Sequence, residues 1–251
     1  MIKVLKTPQE MLEWRKSAKG SVGFVPTMGA LHDGHGSLLT RARGENENVV
    51  LSIFVNPTQF NNSEDLKSYP KTWDQDLAVA QRLGVNVIFY PEFKDMYPDE
   101  YLYKISESSF SNELDGAHRP GHFDGVLTIV NKLFNLVQPQ RAYFGEKDHQ
   151  QLKLIEGMVK AFFLPITIVP VPTLREDSGL AMSSRNLLLS EENRLKAPLI
   201  YKTITTAKTA EEARKVLSDA GFNVDYVVDK NGRRYVAAFA GKVRLIDNVE
   251  I

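Results

Sequence analysis

Cysteine is absent from the 251 residues, which removes disulfides, thiolate nucleophiles and cysteine-based zinc sites together and fits a reducing compartment. Net charge is absent as well. The 31 Lys plus Arg balance 31 Asp plus Glu, so no global cationic field draws the chain to nucleic acid or to anionic lipid. A long apolar run is the third thing missing. The richest stretch, Ala161–Pro172, is interrupted by Pro165, Pro170 and Pro172 and falls short of the roughly 20 residues a spanning helix needs. The opening MIKVLKTPQEMLEWRKSAKG has no apolar h-region. These absences predict a soluble, cytoplasmic protein with neither nucleic acid nor membrane as partner. Nothing in the chain reads as a repeat, a low-complexity tract or a long run of like charge, so nothing suggests a solenoid or a disordered tail.

What remains is a globular composition, 43% hydrophobic and 25% charged, in a chain long enough to bury roughly three quarters of its unfolded surface. Apolar, β-branched runs bounded by Gly or Pro occur at 21–27, 49–56, 85–90, 142–144 and 166–171, and their continuous hydrophobicity predicts buried strands. Helix-period segments lie between them at 34–43, 73–83, 124–137 and 148–163. The alternation predicts an α/β fold with a parallel sheet covered on both faces. After Pro172 the pattern changes to a polar helix from Ser190, a short helix near 210–220 and two strands around a turn at Lys230–Gly232. A boundary is therefore expected near Pro172, with a first domain over 1–172 and a small α+β domain over 173–251.

The first predicted strand runs into PTMGALHDGHGSLL, placing His32 and His35 at a glycine-rich turn where a helix begins. Free N–H groups at such a turn, with two imidazoles and a close backbone approach at Gly29 and Gly34, suit a phosphate. Neither GxGxxG nor GxxxxGK[ST] occurs, which disfavours a dinucleotide fold and a Walker loop. FGEKDHQQL again ends a strand and opens a helix, offering Lys147, Asp148 and Gln151. GLAMSSRN supplies two hydroxyls and a guanidinium without negative charge, a donor set suited to a polyphosphate. In FVNPTQF, Asn56 and Gln59 flank a strand's carboxyl end, where open α/β sheets bind ligands and neutral amides orient a hydroxylated one. DGAHRPGHFDGV adds His118, Arg119 and His122 among glycines, which reads as a mobile cover. Each motif alone also fits solvated loops and capped helices. A zinc hydrolase is disfavoured because HEXXH is missing and His32, His35, His118, His122 and His149 form no closed ligand set with carboxylates. Ser183 or Ser184 with a histidine would mimic a hydrolase triad, yet no GxSxG elbow supports one.

Taken in order, PTMGALHDGH, FVNPTQF, HRPGHFDGV, FGEKDHQQ, GLAMSSRN and RLIDN span residues 26 to 248 and together resemble the pantoate-β-alanine ligase family of the HxGH-bearing nucleotidyltransferases. The resemblance implies a Rossmann-like first domain with a lid behind it, and an ATP-dependent condensation of pantoate with β-alanine through pantoyl adenylate. It also implies Mg2+ and a homodimer. His35, His32, Lys147, Ser183, Ser184 and Arg185 become the candidate catalytic residues, the last three in a stretch from Met182 similar to the KMSKS element of related enzymes. The implied ATP site takes Met28, Gly29, Ala30, Leu31, His32, Asp33, Gly34 and His35 from the first motif. Gly145, Glu146, Lys147 and Asp148 come from the second loop, with Leu174 and Met182–Arg185 from the third. Gln59 and Gln151 match pantoate-binding glutamines, Gln59 also serving β-alanine. Metal ligands stay unassigned: Asp74, Gln75 and Asp76 lie where some relatives place acids near magnesium, but Gln75 departs from that pattern. The stretch from Val224 to Asn248 is shorter than the resemblance implies, so a reduced lid is expected. The runner-up enzyme is a nucleotidylyltransferase such as a cytidylyltransferase, and the alternative of another class is a nucleotide-binding regulatory module. HxGH serves all three, whereas FVNPTQF with FGEKDHQQ favours the ligase.

Overall fold

The structure is a computed structural model that describes residues 2–251. Its first part runs β1 (Lys3–Leu5), α1 (Pro8–Ser17), β2 (Val22–Thr27), α2 (Asp33–Glu45), β3 (Asn48–Ile53), α3 (Ser63–Ser68), α4 (Trp73–Arg82), β4 (Val87–Phe89) and α5 (Phe93–Met96). It continues with α6 (Asp115–His118), α7 (His122–Val137), β5 (Arg141–Gly145), α8 (His149–Ala161) and β6 (Thr167–Val171). The six strands form one parallel sheet in the order β1-β4-β3-β2-β5-β6. One face is buried by residues of α1, α7 and α8, among them Met11, Phe134 and Ile155. The other is buried by residues of α2 and α4, among them Leu39 and Ala80. The Rossmann-like α/β expectation holds. The chain leaves β4 on one side of β2 and re-enters the sheet at β5 on the other, so the topological switch point falls between β2 and β5, at whose carboxyl ends ligands enter such sheets.

The sheet itself opens a crevice there. β2 pairs with β3 through Thr27 but with β5 only at Gly23 and Phe24. Pro26 has no N–H to continue a ladder, and beyond Phe24 the two strands part around a cavity lined by Pro26, Thr27, Tyr143 and Phe144.

Beyond β6 lie α9 (Glu191–Lys196), α10 (Leu199–Thr206), α11 (Ala210–Asp219), β7 (Asn223–Lys230), β8 (Arg233–Ala240) and β9 (Val243–Glu250). β7, β8 and β9 form an antiparallel sheet over a separate core of residues such as Ile200, Leu217 and Val236. The expected strand pair is thus a three-stranded meander, and RLIDN lies on its last strand. β1, α1 and α10 were not foreseen. α1 is nevertheless well specified locally: Thr7 and Glu10 close a capping box and Pro8 opens the first turn. The segment 115–126, expected as a mobile cover, is instead two helices with Asp115, Gly116, His122 and Phe123 buried.

Helix α7 packs closely on the 3₁₀ turn Pro57–Gln59 that follows β3. A Cβ at Gly125 would lie 2.6 Å from the Thr58 carbonyl oxygen and 2.8 Å from the Gln59 nitrogen, so neither backbone can accept a side chain there. Gly125→Ala is expected to cost about 1–3 kcal/mol of stability, read as a lower urea midpoint at unchanged slope. An unaltered midpoint would show that the two backbones are free to separate.

Candidate active site

The first loop is built around two histidine rings. His32 is the N-cap of α2, its Nδ1 accepting the Gly34 N–H at 3.1 Å, and His35 Nδ1 accepts the His32 N–H at 3.4 Å. Gly34 is required for this arrangement, since a Cβ there would sit 2.8 Å from the His32 ring. With both Nδ1 atoms accepting, each neutral ring carries its proton on Nε2 and keeps that donor for a ligand. The rings lie 4.1 Å apart. Burial, with Lys147 adding to it, lowers the His32 pKa to about 4. Burial, reinforced by His32 and Lys147, takes His35 to about 3. Both are therefore neutral hydrogen-bond donors at pH 7.

The turn before them depends on Asp76, which is buried in the first turn of α4. Its carboxylate accepts the N–H groups of Ala30 at 3.0 Å and Leu31 at 2.8 Å and the Thr72 hydroxyl at 3.1 Å. Ala30 has φ of 51°, a left-handed conformation these bonds hold in place. Asp74 and Gln75 are exposed. Ser184 donates to the Ala30 carbonyl at 3.1 Å, tying the GLAMSSRN loop to the same turn. Ser183 accepts the Arg185 N–H at 3.2 Å, and Arg185 pairs with Asp65 on α3 at 3.0 Å. Among the described residues neither seryl oxygen meets a histidine, so the hydrolase arrangement is not formed.

Lys147 lies 3.8 Å from Asp148 in the 3₁₀ turn before α8. Its loop is held from the second sheet, where Asn248 on β9 donates to the carbonyls of Glu146 at 3.0 Å and Lys147 at 2.9 Å. The neighbouring Asp247 grips Arg175 with two bonds of 2.6 and 2.9 Å, and the Arg175 segment bridges to Ala181 at the start of GLAMSSRN.

Gln59 Oε1 accepts from Asn56 at 3.1 Å and its Nε2 donates to the Met28 sulfur at 3.4 Å. Asn56 is itself fixed by Tyr97, Thr58 and Gly125. The Gln59 carbonyl accepts from His122 at 2.8 Å and Arg119 at 3.2 Å. A single cavity brings together Met28, His32, Gly34, His35, Gln59, Gly145, Lys147, Asp148, Gln151, Leu174, Met182, Ser183, Ser184 and Arg185. Of the other residues expected at the nucleotide site, Gly29, Ala30 and Leu31 form the Asp76-bonded turn outside the cavity lining. Asp33 is exposed, and Glu146, whose carbonyl meets Asn248, also lies outside that lining. The sequence reading named Asp76 only as a position near magnesium in some relatives, not as the acceptor that holds the turn, and gave no role to Arg175, Asp247 and Asn248. Only RLIDN flagged the last two, without a role.

Comparison with known proteins agrees with this geometry. Residues 3–250 match the family described as pantoate-beta-alanine ligase. The chain is 63% identical over 251 residues to a pantothenate synthetase of Bdellovibrio bacteriovorus, covering 100% of both. It is 51% identical to one of Legionella pneumophila, covering 91% of this chain and 90% of the relative. Among solved structures, it superposes with TM-score 0.96 and 42% identity on a Francisella tularensis pantoate-beta-alanine ligase complexed with beta-gamma ATP and beta-alanine, covering 100% of this chain and 98% of that one. Pantothenate synthetase of Thermus thermophilus gives TM-score 0.92 and 41% identity with 99% of each chain covered. Matches this complete show that the compact second domain is shared with these relatives.

Buried histidines make the fold sensitive to acid. His122 is lowered to about 3 and His149 to about 4, in each case mainly by burial, alongside His32 and His35. A histidine whose folded pKa lies below its ordinary 6.5 binds its proton more readily unfolded, so stability is complete above about 6.5 and is lost as pH falls toward the folded values. The urea midpoint is expected to be nearly level above about pH 7 and to drop as the pH falls from about 6.5 to 5.5, a range in which carboxylates titrate little. A flat midpoint over that range would show the rings to be freely hydrated.

Proposed function

This chain belongs to the pantoate-β-alanine ligase family, and we propose on that premise that it joins the two substrates through a pantoyl adenylate formed from ATP. The single observation that supports this reading is the meeting of His32, His35, Lys147 and Met182–Arg185 with Gln59 and Gln151 in one cavity at the switch point.

In the first step a pantoate carboxylate oxygen bonds to the α-phosphorus, the bond to the bridging oxygen breaks, and pyrophosphate leaves with the electron pair. Charge grows on the phosphoryl oxygens and on the leaving group, so fixed donors at those oxygens lower the barrier. His32 and His35 offer Nε2–H groups, Lys147 and Arg185 offer positive charge, and Ser183 borders them. Ser184 acts through the Ala30 carbonyl. Gln59 and Gln151 take the pantoate hydroxyls and carboxylate. In the second step β-alanine displaces AMP.

Among the described residues no group of three His, Asp or Glu side chains could hold a metal, and both oxygens of Asp76 already accept N–H groups. The residues present therefore do not build a resident magnesium site, and Mg2+ enters this reading only as the companion of the ATP phosphates, part of the substrate. The domain division at Pro172, the homodimer and the cytoplasmic setting belong to the same proposal. No helix among the described residues is long and apolar enough to cross a membrane.

An adenylate that precedes amide formation requires exchange of labelled pyrophosphate into ATP that depends on pantoate and proceeds without β-alanine. Because His35 is neutral, His35→Asn, which keeps one N–H donor, should exchange faster than His35→Ala, with the alanine variant slower than wild type by about 10²- to 10³-fold. Exchange that needs β-alanine would replace the adenylate with a concerted route, and equal rates for the two variants would assign His35 a role in proton transfer instead.

A further inference from the structure

The cations around the cavity differ in how they are neutralised. Arg185 pairs with Asp65 at 3.0 Å, Arg175 with Asp247 at 2.6 Å, and Arg244 with both Asp115 and Asp225 at 2.8 and 2.7 Å. Arg119 has no carboxylate oxygen within 4.0 Å among the described residues. Asp115 and Asp65 act on it only from a distance, each already bonded to another arginine. Its guanidinium is instead held by neutral acceptors. Nη1 meets His122 Nε2 at 3.2 Å and Nη2 donates to the Gln59 carbonyl at 3.2 Å. His122 gives its Nδ1–H to that same carbonyl at 2.8 Å, so its Nε2 is free to accept from Arg119. Two of the five N–H donors are spent on fixing the side chain, and the remainder of the fork is unspent. Arg119 stands where the main cavity meets two adjoining recesses, and burial holds its pKa down to about 10. A half-buried guanidinium with no carboxylate in contact is a site that an incoming carboxylate stabilises.

We propose that Arg119 binds the carboxylate of β-alanine and holds that substrate with its amine toward the pantoyl adenylate. The assignment rests on the ligase reading and follows from which anion lacks a partner. Phosphate oxygens fall to His32, His35, Lys147 and the Ser183–Arg185 segment. The pantoate carboxylate loses its charge when it becomes the acyl group. Only the β-alanine carboxylate stays ionised through both steps, and it needs a fixed cation beside the acyl site. Arg119 is bonded to the main chain of Gln59, whose side chain serves that site, and two methylene groups of β-alanine separate its carboxylate carbon from its amine-bearing end. In the step itself the amine lone pair forms the C–N bond, the acyl C–O bond breaks, AMP leaves with that electron pair and the amine proton passes to solvent.

The experiment compares β-alanine with propylamine, which carries a methyl group in place of the carboxylate, as acceptors from pantoyl adenylate, in wild type, Arg119→Gln and Arg119→Lys. The quantity read is the ratio of kcat/KM for the two amines. Arg119→Gln should lower that ratio about 10- to 150-fold, the range for a hydrogen bond to a charged group. Arg119→Lys, which keeps the charge but not the fork, should fall between glutamine and wild type. Equal losses on both amines, leaving the ratio unchanged, would mean that Arg119 only supports Gln59 and would overturn the assignment. Should Arg119→Gln fail to fold, an unshifted ratio in Arg119→Lys overturns it alone. Pantoate-dependent pyrophosphate exchange is measured in parallel: its presence with an unchanged ratio removes only the Arg119 assignment, whereas its absence in wild type removes the ligase reading and this proposal with it.

Discussion

One buried carboxylate sets the geometry on which the nucleotide site depends. Asp76 belongs to α4, not to the histidine loop, yet it takes the Ala30 and Leu31 N–H groups that no strand or helix uses. It stands in the first turn of α4, at the positive end of the helix dipole. Its position fixes a left-handed Ala30 and so the direction in which the chain enters α2. The His32 cap, the Nδ1 bonds of both rings and the outward Nε2 donors all follow from that entry. Through the Ala30 carbonyl and Ser184, the Met182–Arg185 loop is referred to the same turn. Loss of a buried acceptor of this kind leaves N–H groups unpaired at about 1–3 kcal/mol each, so the loop's alternatives are costly and its donors arrive prearranged.

The small domain is coupled to this centre by its final strand. Asn248 on β9 holds two carbonyls of the Lys147 loop, and Asp247 beside it clamps Arg175 ahead of the Met182–Arg185 stretch. Two adjacent residues thus reach the Lys147 loop and the Met182–Arg185 stretch at once. One strand of the second sheet therefore fixes the Lys147 loop and the segment that leads to Met182–Arg185 relative to each other. Farther along the interface, Asp115 accepts Tyr226 at 2.9 Å and Arg244 at 2.8 Å. Both bonds fall on one oxygen of Asp115, and the pairing with Arg244 offsets part of the cost of burying that carboxylate.

The central strands and the motifs at their ends were legible because continuous apolar runs and glycine-rich turns are local signals. The switch point followed only from strand order, which the sequence does not print. β1 is three residues long and finds its place by pairing with β4. The LIYKTITT segment is rich in β-branched residues that favour strands, yet α10 forms because Ile200, Thr203 and Ile204 are buried on one face against the small domain's core. Gln151, expected to meet pantoate, lines the cavity, while Gln150, one position earlier, is turned away to bond Phe110, Glu113 and Asp115. Asp76, Asn248 and Arg119 were illegible in their roles for one reason. Each acts on backbone or ring atoms tens of residues or more away in sequence or on a neutral neighbour, and no spacing rule encodes such a bond.

The claim that Asp76 organises the loop, and does not bind metal, is tested most directly by single-turnover pantoyl adenylate formation in Asp76→Asn, titrated with Mg2+. Asparagine keeps the size but exchanges one acceptor for a donor that faces an N–H group. The rate at saturating Mg2+ is expected to fall about 10- to 100-fold, in line with lost preorganised donors, while the Mg2+ concentration giving half the maximal rate stays as in wild type. A maximal rate recovered in full at raised Mg2+ would contradict the account and make Asp76 a metal ligand.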